Sequence, residues 1–257
     1  MNPSGDILTV TDLKHAYGGV EALSGCTLAV KRGSITAVIG PNGAGKTTLV
    51  NVVSGVEPLQ HGEVSFDGID IGNWPAYMFA RRGLLRSFQL PREFGGLSVV
   101  DNLLVVAQDV GLENPFSALF QRAAARRMEA SLLDRVRGLL QEVGLFEARN
   151  QYARELSGGQ KRLLELARAM IVEPKLVILD EPMAGVNPVL IERVGQLIQV
   201  WNSRGVTFLI VEHKLEVVEA ICGYVIVMAN GMRLAAGTMR ELRANPAVVS
   251  AYLGVAR

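Results

Sequence analysis

Short apolar, β-branched runs alternate along most of the chain with longer stretches of helical periodicity, the pattern of a largely parallel sheet flanked by helices. The class it predicts is α/β. Residues 35–39 read as a buried strand, 40–45 as a tight glycine-rich loop, and 46–54 as the helix that follows. A second strand at 176–179 ends on the acidic pair Asp180 and Glu181, and a third at 206–211 ends on Glu212 and His213. The carboxyl ends of strands carry the chemistry of open parallel sheets, and all three clusters fall at such ends.

Two regions depart from this pattern. Residues 1–30 and 62–71 show short alternating runs (Ile7, Val10 and Leu13; Val64 and Phe66) broken by Gly and Asp, as in an antiparallel layer packed beside the parallel core. From 97 to 152 the pattern is almost wholly helical, with a proline-free Ala/Leu/Arg/Glu stretch at 118–140, which predicts a helical insertion. Asn187 followed by Pro188 reads as the N-cap and first residue of a helix reaching about 203. The expected partition is an α/β core with its β layer at 1–90 and 157–237, a helical subdomain at 91–156, and a helical tail at 238–257.

Composition narrows the functions available. A net charge of +1 removes the basic excess by which nucleic-acid binders declare themselves, so no nucleic-acid partner is expected. The runs at 176–179, 206–211 and 224–229 fall far short of the roughly 20 residues that cross a bilayer. Residues 1–6 carry no basic region leading into an apolar core, so no secretory signal is expected. Cys26 and Cys222 have neither metal-ligand nor CxxC spacing and read as buried, inert thiols.

The glycines carry the sharper signal. Gly40-Pro41-Asn42-Gly43-Ala44-Gly45-Lys46-Thr47-Thr48 fits GxxxxGK[ST], a phosphate-binding loop. Its backbone N–H groups converge on phosphate, Lys46 supplies a charge to the β- and γ-phosphates, and Thr47 offers a hydroxyl to Mg²⁺. By ordinary residue usage the bare pattern arises by chance in roughly one chain of this length in a hundred, and here it also falls between an expected strand and an expected helix. Asp180 and Glu181 alone could be a structural strand end. Beside a phosphate loop they read as a carboxylate for the Mg²⁺ shell and a neighbour that polarises the attacking water. Leu156-Ser157-Gly158-Gly159-Gln160 has the S-x-x-Q spacing of a capping box, and a capped helix start with no bulky side chain is also an anion site.

LSGGQ about twenty residues before an acidic strand end is the signature of ABC-type ATPases, and the chain resembles that family from about Leu8 to Leu253. The resemblance implies a phosphate-loop NTPase core with a mostly parallel sheet, an antiparallel β layer and a helical subdomain. It also implies that Gln89 is the glutamine-loop residue reaching Mg²⁺ and the attacking water. His213 would be the switch histidine at the γ-phosphate, and Tyr17 the aromatic that stacks on adenine. Glu181 would be the general base or water-orienting group, with Asp180, Thr47 and Gln89 around Mg²⁺. ATP would be held by residues 40–48 and, from a second ATP-binding subunit, identical or paralogous, by Ser157, Gly158, Gly159 and Gln160, making a head-to-tail dimer.

Where many relatives carry Asp after the catalytic glutamate, this chain reads Met183-Ala184-Gly185-Val186-Asn187. The departure removes a charge from the loop that, in the family, signals between the two nucleotide sites, and it narrows the resemblance. Ala-Gly-x-Asn-Pro, with Arg86-Ser87-Phe88-Gln89 and Val211-Glu212-His213, resembles the ATPases of branched-chain amino acid and amide importers. The implied partners are transmembrane permease subunits docking near 90–150, with Phe94, Leu97 and Val99 as an apolar landing site beside Arg92 and Glu93, and a solute-binding protein; the alternative, favoured for Leu97 and Val99, is that these residues pack inside the subdomain. The implied place is the cytoplasmic face of the membrane. Two alternatives stand beside it: the ATPase of lipopolysaccharide export, which typically has Asp at the position of Asn187, and a soluble ABC ATPase with no transport role.

Overall fold

The computed structural model describes residues 5–72, 74–86, 93–108 and 122–253. The chain divides into two compact units, Met1–Gln89 with Pro174–Arg257, and Leu90–Glu173.

The first unit holds two sheets. Strands β1 (Asp6–Tyr17), β2 (Val20–Lys31), β4 (His61–Phe66) and β5 (Ile69–Asp70) form an antiparallel layer in the order β2-β1-β4-β5. The second sheet orders β10 (Met232–Gly237), β9 (Tyr224–Ala229), β3 (Ile35–Ile39), β8 (Thr207–Val211), β7 (Leu176–Asp180) and β6 (Leu84–Arg86). All of its pairings are parallel except β10 with β9. Every residue of β3, β7 and β8 is buried, as the continuous apolar runs demand of strands covered on both faces. Period-two alternation then sorts their side chains. Val38, Ile226 and Met228 join α1 (Lys46–Val53) and the antiparallel layer in one core. Ala37, Ile39, Val225 and Val227 face a second core with α7 (Leu215–Ile221), α8 (Met239–Arg243) and α9 (Pro246–Leu253). The helices at the end of the chain therefore pack on the main sheet. Thr238 begins them with a capping box closed by Glu241.

The second unit is helical, with α3 (Val99–Gln108), α4 (Arg122–Val143) and α5 (Gly158–Met170) joined by short 3₁₀ turns. Val99, Leu103, Val136, Leu140, Leu164 and Ala167 bury the facing sides of the three helices. Asn102 is fully buried, accepting from the Phe94 N–H at 2.9 Å and donating to the carbonyls of Phe94 and Ser98. The unit extends to Glu173, not to the expected boundary at 156, because the buried stripe of α5 packs on α3 and α4. The expected helix at 118–140 is found as α4, its first residues lying outside those described.

The first unit also holds α2 (Ala76–Arg82), ended by Gly83, and α6 (Pro188–Ser203). Asn187 caps α6 by accepting from the Leu190 N–H at 2.8 Å, with Pro188 in the first turn, as expected from the Asn-Pro pair. Among the described residues no helix is long and apolar enough to cross a membrane.

Candidate nucleotide site

β3, β7 and β8 run parallel, so their carboxyl ends open on one edge of the sheet. The loop after β3 is clamped from behind. A Cβ on Gly40 would lie 2.2 Å from the Met228 carbonyl oxygen, and one on Gly45, whose φ is +92°, would lie 2.5 Å from that of Ala22. The Gly231 N–H donates to the Ala44 carbonyl at 3.3 Å, and the Gly231 carbonyl accepts from the Ser24 N–H at 3.0 Å. β2 and the β9–β10 turn thus hold the loop's shape, while Asn42 and Gly43 are exposed and the space a Gly43 Cβ would enter is open for 4 Å. Lys46 folds back across the loop, donating from Nζ to the carbonyls of Gly40 at 2.8 Å and Pro41 at 2.9 Å. Burial pulls its ammonium below the usual lysine range, against the fields of Glu181 and Asp180. Thr47 is exposed and Thr48 buried, at the start of α1.

At the end of β7, the buried Asp180 accepts from an Arg86 guanidinium N–H at 3.0 Å. Arg86 also donates to Asn51 Oδ1 at 2.7 Å and Ser54 Oγ at 3.3 Å on α1, so one guanidinium joins β6, β7 and the helix behind the loop. Glu181 follows in the left-handed region at φ 48°, where the chain turns out of the strand. Its side chain is 38% exposed and its Oε1 stands 3.7 Å from His213 Nδ1. Glu212, at the end of β8, is buried and accepts from the N–H groups of Met183 and His213, each at 3.0 Å, and of Lys214 at 3.3 Å. Tyr17 ends β1 with its ring 43% exposed and its edge against buried His15, ring centroids 4.7 Å apart.

The structure brings Lys46, Asp180, Glu181 and His213 to one edge of one unit. Gln89 and Arg92 lie outside the described residues. Ser157, Gly158, Gly159 and Gln160 belong to the helical unit. There Ser157 Oγ accepts from the Gln160 N–H at 3.3 Å, and Gln160 Oε1 accepts from the Ser157 N–H at 2.9 Å, the expected capping box. Ser157 and Gly158 are exposed, and nothing lies within 4 Å of a Cβ built on Gly158, so the helix start is open to an outside anion. Of the docking candidates, Val99 is fully buried, as packing inside the helical unit requires. Glu93 pairs with Lys161 of α5 at 2.7 Å. Burial opposes its charged form most strongly, but the hydrogen bonds from Lys161 and the backbone, with the charges of Lys161 and Arg168, together hold the carboxyl below its usual range. Phe94 is 45% exposed with the Arg168 guanidinium over its ring. Sequence reasoning assigned no role to Arg86 or Glu212. For Glu212 a signal existed: it is a second carboxylate ending an apolar strand, like Asp180.

A phosphate loop, an acidic strand end and a histidine strand end on one sheet edge, with a separate helical unit carrying LSGGQ, define an ABC-type ATPase. The chain matches the family model described as "ABC transporter" over residues 23–184, and that described as "Branched-chain amino acid ATP-binding cassette transporter" over residues 233–257. It is 40% identical to the "Probable branched-chain amino acid transport ATP-binding protein LivG" of Archaeoglobus fulgidus, over 96% of this chain and 95% of that protein. It is also 40% identical to the high-affinity branched-chain amino acid transport ATP-binding protein BraF of Pseudomonas aeruginosa, over 97% of this chain and 98% of that one. Among solved structures, a nucleotide-free ATP-binding cassette from an ABC transporter superposes with a TM-score of 0.81 at 33% identity, covering 96% of this chain and 98% of that one. An ATP-binding cassette in its ADP conformation gives 0.81 at 32% identity, covering 97% and 99%. The chain belongs to the ABC transporter ATP-binding proteins, in the branched-chain amino acid (LivG/BraF) family, whose ATP hydrolysis is coupled to transport.

Proposed function

We propose that this ATPase powers the import of branched-chain amino acids, or of a related amino acid or amide, through membrane permease subunits at the cytoplasmic face, fed by a solute-binding protein. The proposal rests on Lys46, Asp180, Glu181 and His213 sharing one sheet edge, and its substrate class on relatives that match nearly the whole chain. The open N–H groups around Gly43 and the Lys46 ammonium bind the β- and γ-phosphates, and Tyr17 offers its exposed ring to adenine. The Thr47 hydroxyl and Asp180 carboxylate are hard oxygen donors of the kind Mg²⁺ takes and would hold it. Bound there, Mg²⁺ would supply positive charge that neutralises the phosphates.

Glu181 orients a water and takes its proton as the water oxygen bonds to the γ-phosphorus and the bond to ADP breaks. His213, 3.7 Å away, holds the carboxylate and reaches the γ-phosphate. Ser157, Gly158, Gly159 and Gln160 of a second subunit close the site with their helix N-terminus, so ATP joins two subunits and its hydrolysis releases them. Gln89 completes the set as water and Mg²⁺ contact. The exposed Phe94 is the better docking probe for permease helices, because reversing the charge of Glu93 would also unpair Lys161 on the signature helix. The test is Glu181→Gln, which should retain ATP, accumulate as a dimer by size-exclusion chromatography and turn over almost nothing. Undiminished hydrolysis would overturn the assignment. Deleting the gene should abolish high-affinity uptake of leucine, isoleucine or valine. Unchanged uptake of all three would refute the substrate class.

A further inference from the structure

Two catalytic loops leave neighbouring strands, and nothing in the strands themselves sets the distance between the loops. Asp180 pairs with Val211 in the parallel register, so Glu181 and Glu212 begin their loops side by side, and the Glu181 N–H still donates to the Val211 carbonyl at 2.9 Å. Beyond this point the ladder stops. Glu181 takes φ 48°, a conformation that is unfavourable for a side-chain-bearing residue and persists only where the surroundings hold it. The next residue, Pro182, has no N–H. The first amide able to anchor the loop is therefore that of Met183, and it donates to Glu212 Oε1 at 3.0 Å.

The other oxygen of the same carboxylate serves the other loop. Glu212 Oε2 accepts from the N–H groups of His213 at 3.0 Å and Lys214 at 3.3 Å. Lys214 closes the circuit by donating from Nζ to the Met183 carbonyl at 3.1 Å. The Glu212 side chain has no exposed surface. A carboxylate removed from water is costly unless its lone pairs are met, and here three amides of two loops meet them. A salt bridge needs no such geometry, and an apolar residue would fill the space without joining the loops.

We propose that Glu212 is a positioning residue for hydrolysis: its carboxylate braces the Glu181 loop against the His213 loop and so sets the 3.7 Å separation of Glu181 and His213. The inference rests on the roles proposed above for those two residues. Glu212 is buried and acts through the backbone amides it holds.

Glu212→Gln keeps the volume but leaves one acceptor oxygen, so its NH₂ must face the N–H donors of one loop. Expected is a fall in kcat of about 10- to 100-fold, with the KM for ATP within about 3-fold of wild type, because the Glu212 carboxylate is hydrogen-bonded to the Met183, His213 and Lys214 amides and not into the phosphate loop at 40–48. Turnover is counted per ATP-binding site, so that loss of folded protein does not register as loss of kcat. Adding Glu212→Gln to Glu181→Gln should slow hydrolysis no further, since the brace acts through Glu181. Hydrogen exchange on the unmodified chain needs no variant: the amides of Met183, His213 and Lys214 should be protected at least 10-fold over unstructured rates. A wild-type kcat in Glu212→Gln, multiplicative losses in the double variant, or unprotected amides at these positions would each overturn the proposal. Undiminished hydrolysis in Glu181→Gln would instead refute the underlying assignment.

Discussion

Replacing Arg86 with Met removes the one guanidinium that ties β6, β7 and α1 together. Asp180 is left 1% exposed without the charged donor it now has at 3.0 Å, and Asn51 Oδ1 and Ser54 Oγ lose a donor at 2.7 and 3.3 Å. Breaking a buried pair by deleting one partner costs about 3–5 kcal/mol, because the remaining charge is uncompensated in a medium that solvates it poorly. The methionine stem recovers some apolar contact with α1, so the lower half of that range is expected. At about 2–4 °C per kcal/mol for a unit of this size, the melting transition should fall by roughly 6–15 °C. The assay is a thermal melt by circular dichroism in metal- and nucleotide-free buffer, where catalysis plays no part. Asp180→Asn removes the other charge, and the double variant should be more stable than the sum of the two losses predicts, by about 2 kcal/mol. A melt of Arg86→Met within about 3 °C of wild type, or strict additivity in the cycle, would refute the view that this ion pair holds the strand end.

Gly45→Ala should cost more than Gly43→Ala by at least about 1 kcal/mol, since both positions have positive φ but only Gly45 also drives a Cβ to 2.5 Å from a backbone oxygen; equal melts would show that the loop yields. The Asp67 carboxyl is held below its usual range by Lys175, which donates to it at 2.6 Å, and by Arg32. A depressed acid stabilises the fold above its unfolded pKa of about 3.9 and loses that contribution as pH falls through the lower folded value. Lys175→Met should therefore cost up to about 1 kcal/mol at pH 7, narrowing below about pH 4, and a gap that stays constant to pH 2 would contradict this. Burial pushes the Cys26 thiol up to about 11 and Cys222 up to about 12, so neither should alkylate with iodoacetamide at pH 8 until the chain is denatured, as read by intact mass.

Much of the site is legible along the chain because its chemistry is local. A phosphate loop needs small residues, a lysine and a hydroxyl within nine positions, and these stand at 40–48 whatever lies around them. The capping boxes and the Asn187–Pro188 helix start are local too, each closed by side chains reaching at most three residues. The signature turn reads correctly as a capped helix. Its membership of the helical unit does not, because that depends on which helices bury Leu164 and Ala167.

The sequence by itself determined where β7 and β8 end and which residues stand there, since a strand buried on both faces needs a run free of charge and the first charged residue marks the exit. Tertiary structure alone decided which strand ends become neighbours. Asp180 meets Arg86 from 94 positions away, and Glu212 meets Met183 from 29, because β6, β7 and β8 lie side by side in parallel register. The pairing of β1 with β4 has the same origin. Contacts of this kind reflect burial and register summed over the whole sheet, so no short stretch of residues contains them. The reacting groups could thus be named from the chain, but the residues that hold them in place became visible only when the strands were laid together.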